Sequence, residues 1–210
     1  MQPIVLGPYT PLGASATYFA SAAWDGVGPF YPTTTTISDG LAHQVTLTVA
    51  TSNYSSISFT LTGVDADGNT ISETLAGPNN NTVTSVLYYA QLTKVSVSAE
   101  LTLNKVSAGI GATSLMQTVP LDARSVAAAL IAAEITGTIN YTVSQTSDDV
   151  FVAKPSTSCT WFAISDLSAK NANVLASSNV GARGLQVKVN SLTSTPTIKV
   201  SISQASSALG

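Results

Sequence analysis

The residues able to do chemistry in this chain are few and scattered. One histidine and one cysteine occur among 210 residues. His43 follows Asp39-Gly40-Leu41-Ala42 and opens an alternating run. A metal site needs several His, Cys or carboxylate ligands, and these types are scarce. Cys159 has no internal disulfide partner. Beside Thr160 and Trp161, in a strand-like run, it reads as a small buried hydrophobe.

Two acidic clusters invite a closer test. Asp65, Asp67 and Asn69 sit at the first, third and fifth positions of a calcium-loop pattern. The sixth position, where the loop needs Gly, is Thr70, and the twelfth, where it needs Glu, is Ala76. A plain hairpin turn fits better, with a weak calcium site shared with other loops as the alternative. Asp148-Asp149 also follows a strand pattern. Paired carboxylates doing acid–base work need a partner across a cleft, so a solvated turn is expected. Arg183, opening a later strand, is a candidate to bridge Asp148 or Asp149. There is no Gly-x-Ser-x-Gly elbow, phosphate-cradling Gly-x-x-x-x-Gly-Lys loop or dinucleotide fingerprint. No catalysis, cofactor or metal is expected.

The elements that would position any site are strands. Period-2 alternation runs through Gln44–Ala50, Ile57–Leu61, Val95–Ala99, Leu101–Val106, Ile139–Val143, Leu185–Val189 and Ile198–Ile202. Most are bounded by Gly, Pro, Asn, Asp or Ser, the pattern of sandwiches and barrels. Val64–Asn69, Gly77–Asn81 and Ser191–Pro196 read as tight connections. Val126–Glu134 reads as a strand entering a hairpin at Gly137, and any helix belongs near Asp166–Leu175. Within the Ile71, Glu73, Leu75 set, Glu73 shares a face with two apolar residues and so needs a partner.

The two halves echo each other. Ile57-Ser-Phe-Thr-Leu-Thr resembles Ile139-Asn-Tyr-Thr-Val-Ser, and Lys94-Val-Ser-Val-Ser resembles Gln186-Val-Lys-Val-Asn. The separations are about 82 and 92 residues, so related tandem modules and convergent strand composition both remain open. The fold expected is all-β: an extended N-terminal arm (1–36) and two antiparallel sandwich or jelly-roll-like modules (37–114 and 115–210). The arm carries Tyr9, Tyr18, Phe19, Trp24, Phe30 and Tyr31 among Gly and Pro. These aromatics pack either on this chain's own sandwich or on a neighbouring subunit. They are the candidate interface, since aromatics are favoured anchors.

Composition favours a chain that works through surfaces. Only 9% of residues are charged, against about 25% in an average domain, and Ser and Thr fill about a quarter of the chain. Low charge suits a surface covered in an assembly or, equally, a secreted adhesion domain. Net charge is −3 and the eight basic residues are dispersed, which argues against nucleic acid as a partner. No apolar run reaches the ~20 residues of a membrane span, and no leader pattern opens the chain.

Two stretches carry a resemblance: Leu61–Ser85 with Tyr89–Ser98, and Gly137–Asp149 with Trp161-Phe162, Ala182–Asn190 and Ile202–Gln204. Both resemble uncharacterised virion proteins of tailed-phage structural gene clusters, over about two thirds of the chain. The resemblance implies a particle component, located in the virion after assembly in the host cytoplasm. The expected role is a capsid decoration or cement protein forming a homo-oligomer, taken as a trimer, on the major capsid protein. A neck, collar or tail accessory protein and a carbohydrate-binding or adhesion sandwich are the alternatives. Deleting residues before Thr33 is expected to leave a folded protein that no longer binds particles.

Overall fold

The computed structural model describes residues 3–13, 17–22, 28–101, 106–122, 127–152 and 155–204. The chain is all-β, with fourteen strands and only a short helix (Pro155–Ser158) and a 3-10 turn (Ser165–Leu167) among the described residues. It divides into a central unit, Leu12–Ser114, and a terminal unit made of Met1–Pro11 with Leu115–Gly210.

The central unit contains β2 (Thr17–Ala22), β3 (Pro29–Phe30), β4 (Ala42–Thr48), β5 (Ser58–Val64), β6 (Thr70–Ala76), β7 (Thr82–Tyr89), β8 (Gln91–Val97) and β9 (Val106–Leu115). One layer has the order β2-β9-β4-β7 and the other β3-β8-β5-β6. This order is that of an eight-stranded jelly roll. Alternation supplies the core: Val45 and Leu47 from β4, Phe59 and Leu61 from β5, and Val95 and Val97 from β8 all point into one buried cluster. The β5–β6 connection is the expected hairpin. The Asp65 carboxylate accepts the N–H groups of Asp67 (2.9 Å) and Asn69 (2.8 Å), so it is spent on the turn itself.

The terminal unit repeats this wiring. It contains β1 (Ile4–Tyr9), β10 (Val119–Pro120), β11 (Leu130–Thr146), β12 (Phe162–Ala163), β13 (Val174–Ser177) and β14 (Gly184–Ser203). The first half of β11 pairs with β13 and with the second half of β14; its second half pairs with β12 and with the first half of β14. β1 lies on the second half of β14 and β10 on its first half. Each long strand thus does the work of two strands of the central unit. The register matches as well. Phe59 faces Val97 and Leu61 faces Val95; Tyr141 faces Val189 and Val143 faces Val187. These are the residues that echo in the sequence.

Four expectations are corrected here. Gly137 and Ser191–Pro196 do not end strands: β11 and β14 run through them, with a bulge between Thr136 and Thr138. Gly137 takes φ +75 and Ser194 φ +66, so turn-forming residues here bend a paired ribbon instead of reversing the chain. The 3-10 turn lies at Ser165–Leu167, and Val174–Ser177, which overlaps the expected helical stretch, is a strand. The modules are nested, not strictly tandem, because the chain starts in the terminal unit, builds the central one and returns. Last, residues 1–36 are not a free arm. Residues 4–9 pair with β14, while Thr17–Ala22 and Pro29–Phe30 pair with β9 and β8. β1 holds on β14 the place that β2 holds on β9, so each jelly roll is closed by a strand from the supposed arm.

Tyr18 (0% exposed) and Phe19 (4%) are core residues of the central unit, and Phe19 meets Phe30 with ring centroids 4.6 Å apart. Phe19→Ala should therefore destabilise the central unit by about 3–5 kcal/mol, read by urea unfolding. Truncation before Thr33 should leave that unit unfolded, with no cooperative transition of its own. A truncated protein that keeps both units folded would contradict this packing.

Candidate functional site

Among the differences between the two units, one loop stands out. The strands β5 and β6 are joined by five residues, 65–69, whereas the matching β11 and β12 are joined by fifteen, 147–161. The ten added residues account for the change in repeat separation from about 82 to about 92. Loops on a common scaffold are where binding functions accumulate.

The loop is braced by its own carboxylates. The Asp148 N–H donates to Thr146 Oγ1 (3.0 Å), and Asp148 Oδ2 accepts the Thr160 N–H at 2.6 Å. Asp149 Oδ1 accepts the Phe151 N–H (3.1 Å), and its backbone oxygen accepts that of Val152 (3.1 Å). Arg183 donates to Asp149 Oδ2 at 2.7 Å, so the expected bridge forms to Asp149. With both side chains over a third exposed or nearly so, solvent screens the pair and its worth is about 0.2–1 kcal/mol. These groups shape the loop. What they hold out is apolar: Phe151 is 80% exposed and Val152 85%.

Beside the loop lies a cleft of about 330 Å³. Gln145 and Thr146 at the end of β11 form its floor, and Phe162 of β12 and Val180 form exposed apolar walls. Gln145 Oε1 accepts the Asn179 N–H at 2.7 Å, which ties the two sides together. All the lining residues are uncharged. In the central unit the residue matching Gln145 is Gly63, and a Cβ there would stand 2.0 Å from the Gln91 backbone oxygen. The same position is filled in one unit and open in the other.

The outer face of the terminal unit adds a few exposed apolar side chains beside the Glu134–Lys199 ion pair. Leu175, Ala132, Ser201 and Val5 are cross-strand neighbours in a row over β13, β11, β14 and β1, and Leu175, Val5 and nearby Leu130 are exposed.

Among the six candidate interface aromatics, Tyr18 and Phe19 are buried, Phe30 packs on their core, and Tyr9 is half-buried on β1. Tyr31 is 66% exposed, and Trp24 lies outside the described residues. They do not form one patch. Periodicity did not reveal Phe151, Val152, Phe162 or Val180 as exposed; the one usable signal was the unequal repeat spacing.

Asp39, His43 and Glu73 are structural braces. His43 Nε2 lies 2.9 Å from Asp39 Oδ2, with both side chains buried, and Asp39 also accepts the N–H groups of Leu12 (2.8 Å) and Leu41 (3.1 Å). Burial alone would raise the Asp39 pKa, but His43 and these N–H groups outweigh it and hold the carboxyl below its usual range. His43 Nδ1 is buried without a partner. Glu73 accepts from Val86 N–H (2.8 Å) and Leu87 N–H (3.0 Å) where β7 bulges off β4. That is the partner its sequence position demanded. Tyr141 is fully buried and donates to the Ala172 oxygen (3.0 Å), while Trp161 and Cys159 are half-buried outside any strand. No three His, Cys, Asp or Glu side chains group to hold a metal among the described residues. No helix among them is long and apolar enough to cross a membrane.

No family model matches the chain, and no curated protein matches it.

Because the folded-state pKa of Asp39 is depressed, its contribution is complete above the ordinary carboxylate value, about 3.9. It is lost as pH falls through the lower folded value. Asp39→Asn should lower stability by about 1–3 kcal/mol at neutral pH, since a charged acceptor of several hydrogen bonds is replaced by a neutral one. The gap to the parent should close in acid, with urea unfolding at both conditions as the check.

Proposed function

We propose that this chain is a structural protein of a tailed-phage virion, a capsid decoration protein that acts through surfaces and performs no catalytic step. The observation that carries the reading is the exposure of Phe151 and Val152 on a loop braced by Asp148 and Asp149, in a unit whose outer sheet face also exposes Val5, Leu130 and Leu175. Exposed apolar patches on a folded chain mark contact surfaces, and aromatic anchors supply most of the energy of such contacts. The low charge of the chain fits a surface covered in an assembly. The jelly roll is used by capsid proteins, an analogy of fold that agrees with the sequence resemblance. The proposed partners are the major capsid protein and further copies of this chain.

The copy number per particle, by quantitative mass spectrometry against the major capsid protein, tests the location. A ratio near one, or a simple fraction of it, is the expected result. A ratio of a few per cent would move the protein to the neck or tail, and absence from particles would overturn the reading. The surface itself is tested by changing Phe151 and Val152 together to Asp. Both side chains already stand in solvent, so the melting temperature should not move, whereas incorporation should fall at least about tenfold. Unchanged incorporation would remove the loop from the interface.

A further inference from the structure

We propose that the cleft beside loop 147–161 is a binding site for a neutral sugar ring. The chemistry of its walls selects that ligand. A pyranose has an apolar C–H face and an edge of hydroxyls, each both donor and acceptor. Phe162, 60% exposed, offers a flat apolar surface for the first. Side-chain amides, which also donate and accept, serve the second. Gln145 uses its oxygen on the Asn179 backbone N–H, and its NH₂ group has no partner among the described residues, as is true of the whole Asn179 side-chain amide. Ser147 and Thr146 add hydroxyls at the rim and floor. No charged side chain lines the space, so phosphates, carboxylates and amines find no counter-charge there.

Size and origin agree. About 330 Å³ is at the small end of ligand sites, room for one or two rings. The site is also specific to one of two like-wired units. At the matching position of the central unit, Gly63 leaves no space even for a Cβ, and the connecting loop is ten residues shorter. Opening of the pocket and lengthening of the loop thus occur together, on a scaffold with the same strand order in both units. The inference does not depend on the particle reading.

The test is titration of the ¹⁵N-labelled full chain with glucose, galactose, mannose and N-acetylglucosamine, following the side-chain amide signals of Gln145 and Asn179. At least one sugar should shift both signals, saturating with a Kd on the order of millimolar, as expected of so small a ligand. Phe162→Ala and Asn179→Ala should each weaken that sugar about tenfold or more. Both side chains are exposed, so the variants should keep the parent melting temperature. Failure of every sugar to shift these signals would overturn the proposal, and so would unchanged affinity in both folded variants. Particle incorporation of Phe162→Ala is a separate readout, so loss of sugar binding and loss of assembly can be told apart.

Discussion

The inward cross-strand pairs Phe59–Val97 and Leu61–Val95, repeated as Tyr141–Val189 and Val143–Val187, set the register of both units. A slip by one residue would turn these side chains to solvent, so each pair of strands admits one alignment. With that alignment given, the neighbouring strands take the same places in each unit. Burying one such side chain is worth about 1.5–3 kcal/mol, and four to a unit at this one strand junction are enough to make register a strong constraint. The rest of each jelly roll is built outward from this seam.

Several polar groups at the strand edges of the central unit are paired by specific neighbours. Glu73 crosses from β6 to the backbone of β7, where the bulge leaves the N–H groups of Val86 and Leu87 without ladder partners. Ser85 Oγ accepts the Val45 N–H (2.8 Å), and Gln44 Nε2 donates to the Ser85 oxygen (2.7 Å). A carboxylate bonded to two N–H groups is stronger than a neutral acceptor, which suits a place where the edges of two layers must be held. Asp39 plays a like role for Leu12 and Leu41. Asp39, Asp65, Glu73, Asp148 and Asp149 thus serve the chain's own loops and edges.

Much of this was legible in the sequence, for a physical reason in each case. Strands declared themselves by alternation because one face of each is buried. Glu73 announced its need for a partner because it stood on an apolar face, and Arg183 found Asp149 because a guanidinium and a turn carboxylate lay near matching strand ends. The errors have equally plain causes. Gly137 and Pro196 are turn formers, but paired bulges use the same residues, and composition cannot tell a bend from a reversal. The N-terminal aromatics show no clean period because β2 is irregularly paired with β9, with register shifts after Thr17 and Phe19, so core residues looked like an arm. Phe151 and Val152 occupy a loop, where periodicity carries no information about exposure. Only the mismatch between two repeat separations pointed to that loop.

Loop 147–161, the proposed contact element, is where the terminal unit carries ten residues more than the matching turn of the central unit. The most direct measurement replaces it with the five-residue turn 65–69 of the central unit and follows both stability and incorporation into particles. The prediction is a chain whose melting temperature stays within a few degrees of the parent and which no longer enters particles. A loop-swapped chain that assembles normally would contradict the account, and one that fails to fold would show that the two units are not interchangeable at this turn.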